Sequence, residues 1–427
     1  MGELLRTSED VGIWEHRGKV ALVGRGHSPV YRRWDGKDMT QTLGALSILA
    51  AKAAMEDAGV TPDQIDGVIT CPGGQSNGAL MGAPWGPGRP YFAAPYDTED
   101  GLSKVTAEWL VRELGLKNVK YVNSDGDNLF MMVGQGAQAV GDGKCNNLLI
   151  LYPAGNLEGR YQQNESTNAP GPTQWTNPWG WGMGIAYPFA EYCRKYGSNH
   201  DRMAPFILNS RRNGLMVPWG YYALHEPYQL TTEDYLSARW ICEPLSMLDC
   251  DRPVQASACY LMTTAERAKD MKQKPVYVLD YTMSSNRPRS NFETLEDTEA
   301  WTDAMARKVW KGSGLHASDI DVFNPYDGFA LFTQYFLEAF QWHGVKRGEA
   351  HDFYAGDISV EGPHPLLPSG GNIGTGRTRT AIFTDCMEQL QGRAGPRQIS
   401  GKREIALAGG VLPVNAGWTV FSSIPDA

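Results

Sequence analysis

EDAGVTPDQIDGVI, residues 56–69, returns 255 residues later as KGSGLHASDIDVFN, residues 311–324. Gly59, Ile65 and Asp66 fall on Gly314, Ile320 and Asp321 at that single offset. In each copy a helical run stops at the glycine, the residue that most readily takes the left-handed conformation closing a helix. An Ile-Asp pair then leads into an apolar, strand-like run. Two copies of one α/β unit are implied, and because the period far exceeds that of stacked solenoid repeats, the chain reads as a duplication.

Outward from the first copy, KVALVGRG (19–26) is an apolar run ending in glycine, and MTQTLGALSILAAKAAMEDAG (39–59) has helical periodicity. A strand after DQIDGVITC, a helix after Leu102, the strand VKYVNS (119–124) and the buried strand NNLLILYPAG (146–155) complete the first unit. The second begins with PVYVLDYTM (275–283) and a helix over 296–311, and ends with a helix over 381–391 and the strand EIALAGG (404–410). Such alternation predicts helices covering a parallel or mixed sheet. Between the units, 156–250 differs in character: NAPGPTQWTNPWGWGMGIAYP (168–188) is dense in Trp, Pro and Gly, and EYCRKYGSNHDRMAPFILNSRRNG (191–214) reads as a helical pair. An aromatic loop of this kind serves as a packing lid or as a wall for a bulky apolar substrate.

With 42% hydrophobic and 20% charged residues in 427, the chain has ample material for a large core. A net charge of −9 and the lack of any long Lys/Arg run argue against a nucleic-acid partner. MGELLRTSEDVGIWEHRGK carries acids and a Trp where a secretion signal needs a basic start and an apolar run, and no apolar run reaches the length of a membrane span. Seven cysteines without a CxxC pair or zinc-like spacing predict reduced thiols in a cytoplasm and no structural metal.

AEYCRKYGSNHDRMA, LTTEDYLSARWICEPLSMLDCDRPVQASACYLMTTAERA, PYDGFALFTQYFLEAF and LPSGGNIGTGRTRT occur in that order. Together with the duplication they resemble the thiolase fold family over about residues 20–420, in particular its sterol-carrier-type, or lipid-transfer, branch and most of all the steroid side-chain aldolases. The resemblance implies an α/β chain with a duplicated thiolase-like fold in five αβαβα layers. Residues 1–270 would hold the N-terminal half with the 156–250 insertion and 271–427 the C-terminal half, with helices 126–141 and 378–391 in the middle layer.

A thiolase places a cysteine at a helix start, where the dipole and free N–H groups favour the thiolate. The resemblance puts it 17 residues before Gly143, where this chain has Gly126. The family histidine of the glycine loop is missing from SGGNIGTGRTRT, which offers Arg377 and Arg379 instead, and LAGGVLPVNAG (407–417) lacks the second cysteine. Without these groups the fold can still stabilise a thioester enolate, because an oxyanion site needs only donors. The resemblance therefore implies a carbon–carbon lyase cleaving a β-hydroxyacyl-CoA by retro-aldol chemistry, in steroid or other lipid breakdown. No cofactor would be tightly bound, and the coenzyme A thioester would be the substrate. Acyl transfer by a displaced group and a non-catalytic lipid-transfer or scaffold subunit are the alternatives. A twofold homodimer through VKYVNS and a small OB-fold/zinc-ribbon partner protein are further implications of the resemblance.

Tyr326, in NPYDGFALF, matches the catalytic tyrosine of that branch; it reads either as the base, given positive charge nearby, or as a packed strand-end side chain. Asp327 is either a cap for a helix starting at Gly328 or a proton carrier. Arg377 stands where some aldolases carry a second tyrosine, and of Arg377 and Arg379, two apart, only one need face the pocket. His364, between prolines in EGPHPLLPSGG, is the histidine near that loop. Gly370 and Gly371 open GGNIGTG, read as backbone donors to the thioester or as a plain tight loop. Asp125 and Asp127 flank Gly126, one as helix cap and the other as a group that orients substrate.

Overall fold

Strand β1 (Val20–His27) sends Val20 and Leu22 into one apolar cluster and Ala21 and Val23 into another, and all four are buried. A strand buried on both faces has to lie between two layers. β4 (Asn147–Ala154) alternates the same way, Leu148 and Ile150 against Leu149 and Leu151. The structure is a computed structural model and describes residues 6–35, 37–71, 100–102, 104–126, 128–155, 181–284, 294–411, 413 and 416–427.

The other main strands are β2 (Gly67–Thr70), β3 (Tyr121–Asn123), β7 (Ala256–Thr264), β8 (Val276–Met283), β9 (Val322–Pro325), β10 (Ile405–Gly409) and β11 (Gly417–Ser422), while β5 (Trp240–Cys242) and β6 (Leu245–Ser246) form a small hairpin in the insertion. Nine strands run in the order β3-β2-β4-β7-β1-β8-β11-β10-β9. In the first half β2 is parallel to β4, and β7 is antiparallel to both β4 and β1; in the second, β9 is parallel to β10, and β11 is antiparallel to both β10 and β8. One topology is thus used twice. Ala21 pairs with Tyr277 and Leu22 with Val276, so the β1 and β8 edges join the strands of the two halves into one hydrogen-bonded ladder.

The layering is that of the predicted αβαβα arrangement. Helices α1 (Leu43–Ala58) and α2 (Ala107–Glu113) cover the outer face of the first half, and α6 (Leu295–Ser313) and α7 (Thr333–Phe340) that of the second. Between them lies α3 (Leu129–Gly141), which touches β4 and β7 on one side and β8 and β11 on the other. Two glycines permit this: a Cβ on Gly134 would lie 2.4 Å from the Tyr281 ring, and one on Gly136 would lie 2.7 Å from Leu148. At two residues apart they face opposite sides of the helix. The companion middle helix, α9 (Ala381–Gln391), packs on β9 and β10 and bonds across to the first half, Thr384 Oγ1 to Tyr260 Oη at 2.9 Å and Glu388 to Arg25 at 2.8 Å. Both middle helices start three residues later than the sequence predicts. For α3 the reason is Asn128, whose side chain accepts from the Met131 amide at 3.0 Å and caps the helix.

The insertion contains the predicted helical pair, α4 (Trp181–Tyr196) and α5 (Ala204–Leu215); the aromatic stretch up to residue 180 lies outside the described residues. Its end is pinned by a buried knot: Asp249 accepts from Tyr235 Oη at 2.6 Å and from the Ser246 amide at 2.6 Å, and bonds His200 Nε2 at 2.7 Å. All seven cysteines are free, and no helix among the described residues is long and apolar enough to cross a membrane.

The repeat extends to hydrogen bonds. Asp66 Oδ1 accepts from the amides of Asn146 (2.8 Å) and Asn147 (2.7 Å), and Asp321 Oδ2 from those of Glu404 (2.7 Å) and Ile405 (3.1 Å). Asp66→Ala and Asp321→Ala each strand two amides at a strand start. Each is expected to lower stability by about 2 kcal/mol or more in urea unfolding, to a similar extent, and the double variant to lose roughly the sum.

Candidate active site

β9 ends at Pro325, and the Tyr326 amide donates to the Gly409 carbonyl at 2.8 Å, carrying the β9–β10 ladder one residue further. The phenol is buried, 1% exposed. Burial pushes the phenol above its ordinary range; Arg379 and then Arg377 pull it down, Asp251 and Asp327 push it up, and burial wins.

Asp327 does not cap the segment after Gly328. Its Oδ1 accepts from the Asn372 amide (2.8 Å) and side chain (3.1 Å) and its Oδ2 from the Ile373 amide (3.0 Å), so it caps α8 (Gly371–Thr375), the short helix of the glycine loop. Burial drives this carboxyl up to about 7 despite those donors.

The loop's glycines serve packing. A Cβ on Gly371 would lie 2.2 Å from Asp327 Oδ2, one on Gly370 2.2 Å from the Ser210 carbonyl, and one on Gly214 of α5 2.0 Å from the Gly374 carbonyl. Helix α5 therefore lies backbone to backbone on the loop. The Gly370 amide donates to Leu367 O at 2.7 Å and the Gly371 amide to Ser369 Oγ at 3.3 Å, while those of Asn372 and Ile373 go to Asp327. These amides are spent inside the protein, which corrects the reading of Gly370 and Gly371 as donors to a thioester.

Both arginines, not one, are drawn in, each 9% exposed. The Arg377 amide donates to the Arg252 carbonyl at 2.8 Å, and the Arg379 amide to Asn372 Oδ1 at 2.8 Å. Arg379, just before α9, holds a left-handed φ of +60°, which costs an L-residue about 1–2 kcal/mol. Its Nε is buried without a hydrogen-bond partner.

Three side chains at this site escape sequence reasoning. Asp251, just past the Asp249 knot, is 1% exposed; burial raises its carboxyl to about 6 against the pull of Arg377 and Arg379. Tyr152, on the inward face of β4, is fully buried, and its Oη has no hydrogen-bond partner; burial raises it too, with Arg379, Cys71, Tyr326 and Arg377 as its charged or titratable neighbours. Cys71 follows β2 as Tyr326 follows β9, and the 255-residue offset maps one onto the other. An acid two residues from another in LDCD was the available signal for Asp251; an aromatic in an apolar strand carries none.

The remaining expectations fare differently. Asp125 is exposed, its amide donating to Asn123 Oδ1 at 2.7 Å; the side-chain cap of α3 is Asn128, and Asp127 lies outside the described residues. At Gly126, where the resemblance puts the thiolase cysteine, a Cβ would lie 2.5 Å from Met132 Cγ and 2.7 Å from the Thr70 carbonyl. His364 is not brought to the cluster: its ring packs 4.3 Å from that of His343 and 5.6 Å from that of Phe353.

Comparison with known proteins agrees with this architecture. A family described as Thiolase C-terminal domain-like matches residues 283–420. The 17-hydroxy-3-oxo-4-pregnene-20-carboxyl-CoA lyase of Mycobacterium tuberculosis is 27% identical over 383 residues, 84% of this chain and 87% of that protein. The steroid side-chain-cleaving aldolase of Thermomonospora curvata is 24% identical over 384 residues, 84% and 86% of the two chains. Among solved structures, the Ltp2-ChsH2(DUF35) aldolase superimposes with a TM-score of 0.73 at 20% identity, covering 95% of this chain and 98% of that one. Human mitochondrial 3-ketoacyl-CoA thiolase in complex with CoA does so with a TM-score of 0.64 at 13% identity, covering 96% and 98%. The thiolase fold and the resemblance to the steroid side-chain aldolases stand.

Because Gly126 is hemmed in by a main-chain carbonyl, Gly126→Cys is expected to lower the melting temperature by several degrees and to leave the new thiol slow to alkylate. Thermal unfolding and timed iodoacetamide labelling check both.

Proposed function

We propose that the chain is a carbon–carbon lyase that cleaves a β-hydroxyacyl-CoA by a retro-aldol reaction, with a steroid side-chain thioester as the favoured substrate class. The products are a ketone or aldehyde and a shortened acyl-CoA. The observation that carries the reading is a buried phenol that feels the charges of two arginines and two aspartates, in a chain similar over most of its length to two steroid side-chain-cleaving enzymes.

The chemistry needs a group to take the β-hydroxyl proton, positive charge where the thioester enolate forms, and a proton for that enolate once the carbonyl product has left. Tyr326 supplies the first. Arg377 and Arg379, both at the site, supply the second. Asp327 holds the loop before the arginines against the strand end that carries the phenol. A covalent acyl-enzyme has no place in this sequence of steps. The competing reading, acyl transfer, rests on one observation: Cys71 is buried at the strand end equivalent to that of Tyr326.

Assembly and location belong to the same proposal. Among the described residues β3 is the sheet edge, pairing with β2 on one side, and Val122 on it is 40% exposed, which supports a twofold homodimer through this strand. The likeness to the Ltp2-ChsH2(DUF35) aldolase, whose double name joins Ltp2 and ChsH2(DUF35), supports a small partner protein of the OB-fold/zinc-ribbon kind. Seven free thiols fit a cytoplasmic setting.

Tyr326→Phe keeps the packing and removes the hydroxyl. Turnover of a β-hydroxyacyl-CoA, followed by chromatography of the carbonyl product and the shortened acyl-CoA, is expected to fall by about 10² or more with the circular dichroism unchanged. Mass-spectrometric trapping of an acyl group on Cys71 in the wild type would replace the lyase reading with acyl transfer.

A further inference from the structure

A buried phenol raised above its ordinary range is neutral near pH 7, and a neutral phenol can accept a proton only if it gives up its own. The structure offers an acceptor. A Cβ built on Gly328 would lie 2.0 Å from Asp251 Oδ2 and 3.0 Å from Tyr326 Oη, so carboxylate and phenol front the same space over one glycine. No larger residue could stand at 328 without parting them. The two groups come from distant parts of the chain, one from the end of β9 and the other from the segment between the Asp249 knot and β7.

We propose that Asp251 is the positioning residue through which Tyr326 acts: as Tyr326 Oη takes the β-hydroxyl proton of the substrate, its own proton passes to the Asp251 carboxylate. This rests on the lyase reading. The substrate O–H breaks and the alkoxide collapses, its α–β carbon bond giving the carbonyl product and a thioester enolate. The enolate takes up one proton from solvent, Asp251 returns its proton to solvent, and the site is back at its starting charge without an oxidant or reductant.

The surroundings suit such an acceptor. Arg377 and Arg379 favour the carboxylate, burial opposes it, and the balance at about 6 leaves Asp251 ionised near neutral pH yet readily protonated. Tyr326 and Asp327 meet it from the end of β9, and the arginines meet it from the loop before α9. The bond from the Arg377 amide to the Arg252 carbonyl ties that loop to the residue next to Asp251. An aspartate kept only as counter-ion to two arginines would not have to front Tyr326 Oη.

Asp251→Asn keeps the shape and removes the acceptor. Expected are a fall in kcat of about 10² with KM changed less than about threefold, and loss of the acidic limb of the kcat–pH profile, which in the wild type lies near pH 6. Asp327, the other buried carboxyl at the site, is the control: Asp327→Asn is expected to retain the limb. A flat wild-type profile from pH 5 to 8, an undiminished kcat in Asp251→Asn, or a limb that disappears in Asp327→Asn and survives in Asp251→Asn overturns the proposal. A second readout needs no substrate. With tyrosines labelled at Cζ with carbon-13 and the Tyr326 resonance assigned through Tyr326→Phe, its titration should move to lower pH in Asp251→Asn, because a neighbouring negative charge has been removed. An unmoved titration overturns the coupling even where turnover falls. A wild type that yields no cleavage product, together with a moved titration, overturns the lyase reading and leaves the coupling standing.

Discussion

The carboxylate of Asp327, with both oxygens taken by Asn372 and Ile373, joins the end of β9 to the glycine loop, and the rest of the site hangs from that junction. Tyr326 is its chain neighbour on one side; Arg377 and Arg379 follow the capped helix on the other. Two backbone amides and one side-chain amide converging on a fully buried carboxylate form a strong and directional tether. Its charge is not cheap to hold, since burial raises the group to about 7 in spite of the donors. A buried acid under that tension persists only where the surrounding backbone leaves it no alternative.

The backbone leaves none because glycines let main chains approach to contact. Gly214 of α5 meets the carbonyl of Gly374, and Gly370 meets that of Ser210, so the insertion is clamped onto the loop of the other half. Gly134 and Gly136 do the same for α3, one toward each half of the sheet. Close packing of this kind transmits position with little slack. A displacement of α5 would move the loop, and with it both arginines.

Two arginines, two aspartates and two tyrosines share a region from which water is largely excluded. Low local polarity strengthens each pairwise interaction and penalises each unpaired charge. The pattern of shifts is the sort that places proton donors and acceptors close in affinity: Asp251 and Asp327 are raised toward neutrality, at about 6 and about 7, while the phenols are raised away from it. Tyr152, with no partner for its hydroxyl, adds a donor on the side of the first half.

From sequence alone the duplication, the order of strands and helices apart from β7 and β11, the helical pair of the insertion and the strand-end place of Tyr326 were legible. Each follows from local periodicity: apolar alternation along β1 and β4, glycine at helix ends, and an Asp at the same offset that satisfies the same two amides in both halves. What the tertiary structure decided was which side chain meets which. Asp327 caps a helix 45 residues away and not the one beside it, Asp251 comes from the end of the insertion to lie against Gly328, and His364 packs on His343. Gly126 is closed off by the carbonyl of Thr70, at the end of β2. The physical reason is common to all four. Periodicity reports which face of an element is buried, whereas a hydrogen bond or a steric limit between distant segments depends on distances that exist only once the layers have packed.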